Sequence, residues 1–62
     1  MIDDKDILEW TKKELEKMRI NATRAYERND LTAFLNINVK IRYYKRYIEL
    51  LEEKVNGNAN AD

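Results

Sequence analysis

The sequence predicts an all-α protein: an antiparallel two-helix hairpin, expected to assemble further into a dimeric four-helix bundle. Three observations carry this. Proline is absent and Gly57 is the only glycine in 62 residues, so little interrupts a helix. Apolar residues recur at steps of three and four in two separate runs, the period of an amphipathic helix. The second run also has apolar residues on its back, which a hairpin alone cannot cover.

The strongest element is a helix expected over about 30–55. Phe34, Ile37, Ile41, Tyr44, Ile48, Leu51 and Val55 form a sustained heptad seam. A second row consists of Leu35, Val39, Tyr43, Tyr47 and Leu50. At about 100° per residue, its mean direction lies roughly opposite the seam. Such a helix either sits inside a bundle or offers a docking surface.

The first helix is expected over about 3–28. Asp3 is placed to be its N-cap, with Asp6 at N3 in a variant of the capping box. Ile2 and Ile7 then stand at N′ and N4, the positions of a hydrophobic staple. Asp3, Asp4 and Asp6 also suit the positive end of the helix dipole. Its seam is Leu8, Thr11, Leu15, Met18, Ala22 and Ala25, flanked by Ile7, Trp10 and Tyr26, while Ile20 points away.

The turn follows from phase. Beyond Ala25 the first spacing meets mostly polar positions, and the strong seam restarts at Phe34. Between them, Asn29 tolerates the left-handed conformation found just past a helix end, and Asp30 is a good N-cap. The rival is one continuous helix of about 50 residues, roughly 75 Å long. A fold at Asn29–Asp30 sets Ala25 against Phe34, Ala22 against Ile37, Met18 against Ile41 and Leu8 against Leu51. Small then opposes large near the turn, as close-packed layers require. Residues 1–56 therefore read as the hairpin. Asn56-Gly57 offers a C-cap, and 57–62 reads as a disordered polar tail.

A domain of this size hides only about 60% of its unfolded surface. The chain has no cysteine and no histidine, so neither a disulfide nor a structural zinc site is expected to add stability. Oligomerisation is the remaining common route for a small scaffold. Serine is also absent, which removes a third common catalytic group. We expect no enzymatic activity and no cofactor. Glu49, Glu52 and Glu53 are spaced to hold a hard cation with water, but glutamates at helical spacing read first as solvated surface.

Lysine plus arginine and aspartate plus glutamate each number 12, so the net charge is zero. The charge is nevertheless segregated. The open end of the hairpin has two bases against seven acids, net minus five. The remainder has ten bases against four acids, net plus six, and Asp62 closes the balance. Glu52 and Glu53, near the expected C-terminus of the second helix, misfit its dipole slightly and hint at a basic neighbour. No apolar run is long enough for a membrane span. The acidic start Met1-Ile2-Asp3-Asp4 is unlike a signal peptide, so a cytoplasmic setting is expected. Asn21-Ala22-Thr23 matches a glycosylation sequon but falls within the expected first helix.

The stretch 40–47 interleaves bases with aromatics. Lys40, Arg42, Lys45 and Arg46 would meet phosphates, and Tyr43 and Tyr47 would stack on bases, making nucleic-acid binding the alternative function. The opposing reading is structural: Tyr44 belongs to the seam, Tyr43 and Tyr47 to the second row, and the basic stems cover apolar surface. A membrane-surface helix would need one clean apolar face and a cationic opposite face, which the second helix lacks. In size and hairpin form the chain resembles small bacterial helical-hairpin regulators, including the sporulation checkpoint inhibitors of histidine kinases. It is similar in the same way to short proteins carried by phages and other mobile elements. No family motif matches residue by residue, so no functional residue is carried over. The expected function is a small interaction module that self-associates and regulates or scaffolds another protein. Its expected interface is Leu35, Val39, Tyr43, Tyr47 and Leu50, with Trp10 and Ile20 as extras.

Overall fold

A computed structural model describes residues 2–60, with side-chain surroundings through Gly57. It contains two helices, α1 (Asp4–Glu27) and α2 (Leu31–Asn60), packed against each other as a hairpin. The principal extents are 51 × 19 × 13 Å. Among the described residues, no helix is long and apolar enough to cross a membrane.

Local hydrogen bonds set the helix starts. Asp3 is the N-cap of α1, and its Oδ1 accepts the Asp6 N–H at 3.0 Å. That bond satisfies one of the orphan donors of the first turn. Asp30 repeats the device for α2, with Oδ1 accepting the Ala33 N–H at 3.2 Å.

The turn is a Schellman motif. Asn29 has φ 59°, the left-handed conformation. Its N–H donates to the Tyr26 carbonyl at 3.0 Å, and the Asp30 N–H donates to the Ala25 carbonyl at 2.9 Å. These bonds satisfy carbonyls that the end of α1 would otherwise leave open. Asp30 thus closes α1 with its backbone and opens α2 with its side chain. Just outside the turn, the Tyr26 and Phe34 rings tilt together with centroids 5.3 Å apart.

The two seams face each other. Every seam position of α1 (Leu8, Thr11, Leu15, Met18, Ala22, Ala25) is buried or half-buried. So is every seam position of α2, from Phe34 to Val55. The densest contact is at the open end, where Leu8, Ile48 and Leu51 form a cluster joined by Ile7, Leu15 and Val55. Two ion pairs cross between the helices there, Lys12 to Glu52 and Lys54 to Asp4, each at 3.3 Å. In the middle, Leu15, Met18, Ile37, Ile41 and Tyr44 are only half-buried. A single neighbouring helix walls a large side chain on one side and leaves its flanks open. Near the turn the alanines Ala22 and Ala25 are buried because they are short enough to be covered.

Thr11 is the most deeply buried residue, at 0% exposure. Its hydroxyl donates to the Ile7 carbonyl at 2.7 Å. A buried hydroxyl needs such a partner, and the carbonyl one turn back is within reach.

The C-terminal boundary differs from the sequence expectation. α2 continues to Asn60 instead of ending near Val55, and Gly57 is helical with no positive φ. Residues 57–60 are therefore helix rather than an unstructured tail, and Ala61 and Asp62 lie outside the described residues. At Asn29 a left-handed residue turns the chain into a second helix that packs back on the first. At Gly57 no left-handed residue intervenes, and one helical glycine costs only about 1 kcal/mol. The longer helix also moves Glu52 and Glu53 away from its end. Glu52 is paired with Lys12, so the expected dipole misfit at these positions disappears.

Candidate protein-binding face

The back of α2 carries a line of large apolar side chains that α1 leaves exposed. Leu35 is 62% exposed, Val39 53%, Tyr43 69%, Tyr47 47% and Leu50 46%. All belong to one continuous helix, so their relative spacing is rigid. The steps of four, four, four and three place Leu35, Val39, Tyr43 and Leu50 along the outer side, with Tyr47 toward one edge.

The two extra residues are not part of this line. Trp10, 57% exposed, belongs to α1 and shares an open apolar depression with Ile2, Asp6 and Ile7. Ile2 and Ile7 line that depression together, as the staple positions imply. Ile20, 46% exposed, lies on the outer side of α1, half a turn away from its seam. The hairpin therefore gathers five of the seven expected interface residues on one helix and leaves Trp10 and Ile20 on the other.

The basic-aromatic stretch is distributed around α2. Tyr44 is in the seam and half-buried, as is Ile41. Arg42, Tyr43, Lys45 and Arg46 line a shallow groove along one flank, together with Asn38 and Glu49. Lys40 does not line that groove, and Tyr47 does not either. Arg46 is also within 3.9 Å of Glu49, one turn on. The groove leads directly into a second one, lined by Glu49, Glu52, Glu53, Asn56 and Gly57. One flank of α2 is thus basic in its first half and acidic in its second. Along the chain the bases and the acids stand in separate stretches, and their helical spacing is the signal that sets them beside each other.

Among the described residues, no cluster of three or more His, Cys, Asp or Glu side chains is placed to hold a metal ion. Compared with protein-family models, curated proteins and solved structures, the chain matches none of them.

Proposed function

We propose that this chain is a small, non-enzymatic interaction module. It self-associates through the outer row of α2 into a dimeric four-helix bundle and, in that form, regulates or scaffolds another protein. The exposed row from Leu35 to Leu50 carries this reading, because it lies on a helix whose opposite face α1 already covers. Isolated apolar residues on a surface need no explanation, whereas a contiguous line of them marks a contact surface.

Surface area supports it. The chain exposes 5301 Å². A folded monomer of 7.5 kDa would expose about 4,200 Å² on the usual size scaling. The excess, about 1,100 Å², is larger than one side of a standard protein interface, about 800 Å². A second copy is the simplest cover, since closed two-fold symmetry hides the row in one step.

The test is the double change Val39→Glu with Tyr43→Glu. Both side chains are outside the seam, so helicity per chain should persist. The sedimenting mass should fall from two chains to one. A wild type that sediments as one chain from micromolar to millimolar concentration would refute self-association.

The second reading is nucleic-acid binding, favoured by Tyr43, which is open to stacking beside Arg42 and Arg46. Salt separates the two. Binding to phosphates weakens steeply as salt rises because counterions are released, and apolar association changes much less.

A further inference from the structure

We infer that the second copy docks antiparallel along α2, in a register set by a self-complementary strip of charge. This inference rests on the self-association proposed above and adds the orientation and alignment of the two chains. The strip is Arg42, Arg46, Glu49 and Glu53. Steps of four, three and four place these residues on one flank, next to the exposed apolar row. They line the two adjoining grooves, basic first and acidic second, which meet at Glu49.

A two-fold axis perpendicular to a pair of antiparallel helices carries each flank onto the same flank of the partner. The order basic, basic, acidic, acidic is then met by its own reverse. With the axis crossing between Arg46 and Glu49, Arg46 faces the partner's Glu49 and Arg42 faces the partner's Glu53. Symmetry doubles both pairs. Arg46 and Glu49, already 3.9 Å apart within one chain, lie close enough together for either to exchange its partner across the axis.

In the same register Tyr43 comes within two residues, about 3 Å, of the level of the partner's Leu50, and Tyr47 approaches its own copy near the axis. Val39 lies opposite the partner's Gly57, which has no side chain and nothing within 4 Å of where a Cβ would stand. Close approach of backbone is a known use of glycine. On the other flank, Lys40 comes level with the partner's Lys54, whose ammonium is held by Asp4 at 3.3 Å. A parallel pair would instead set Arg42 and Arg46 against the opposite flank, where Lys40 stands. Charges at the edge of an apolar contact set orientation and register more than affinity.

The experiment is a charge exchange followed by mixing. One variant carries Arg42→Glu and Arg46→Glu, so its strip is wholly acidic. The other carries Glu49→Arg and Glu53→Arg, so its strip is wholly basic. Each alone should dimerise more than about tenfold more weakly than wild type, since like charges then oppose one another. An equimolar mixture should recover the wild-type dissociation constant, with native mass spectrometry showing one chain of each kind. Circular dichroism checks that both remain helical. If either does not, the single changes Arg46→Glu and Glu49→Arg give the same comparison with half the charge. A dimeric wild type whose variants dimerise unchanged, or whose mixture is not restored, overturns the antiparallel register but leaves self-association standing. A wild type monomeric at millimolar concentration overturns both.

Discussion

Leu50 and Leu51 are neighbours in one helix, and they have opposite environments. Leu51 is 6% exposed in the cluster with Leu8 and Ile48, while Leu50 is 46% exposed on the outer row. The residue type, the helix and the level along the hairpin are the same. The 100° rotation between consecutive residues makes the difference. It separates a row that holds the chain together from a row left for another molecule. Burial in so thin a structure is therefore a property of direction more than of depth.

The largest test of that contrast is Leu51→Ala. It should cost about 2–5 kcal/mol, the range for a buried leucine truncated to alanine. That is a large fraction of the stability of a small domain, so urea unfolding should show much of the chain unfolded before denaturant is added. The loss should be present at any protein concentration. A smaller effect probes the turn, which decides which row meets α1. Asp30→Ala removes the acceptor of the Ala33 N–H and should lower stability by about 1 kcal/mol. The antiparallel contacts should remain, because the backbone bonds around Asn29 do not use that side chain.

Leu50→Ala should have the smallest effect in dilute solution, within about 0.5 kcal/mol, as for surface changes elsewhere. At higher concentration its cost should grow, because binding that favours the folded form adds stability by mass action. Chemical unfolding at two protein concentrations separates the cases. Equal losses at Leu50 and Leu51 in dilute solution would mean that the two rows are not distinct.

Much of the fold is legible in the sequence. Both seams occupy the expected positions, and Asp3, Asn29 and Asp30 act as expected. The end of α2 departs from the expectation because Asn56-Gly57 permits a stop without requiring one, and one helical glycine costs only about 1 kcal/mol. Half of the candidate site was equally plain, since the outer row follows from the period alone. Its charged flank was not, because the bases and acids lie in separate stretches that look unrelated along the chain and adjoin only on the helix surface. Trp10 and Ile20 are apolar extras beside the row in the sequence. They belong to the other helix, and the hairpin does not bring them to the outer side of α2.

By itself the sequence determined the two helices, both N-caps, the turn at Asn29 and the apolar rows. Each depends on residues within about five positions of one another, through backbone hydrogen bonds or helical phase. The tertiary structure alone decided that Ile48 is buried while Ile41 is half-open, and that Lys12 meets Glu52 and Lys54 meets Asp4. Those outcomes depend on how many neighbours a helix has and how far along it they reach. With one neighbour of 24 residues, α2 can hide one row and must leave the other in water.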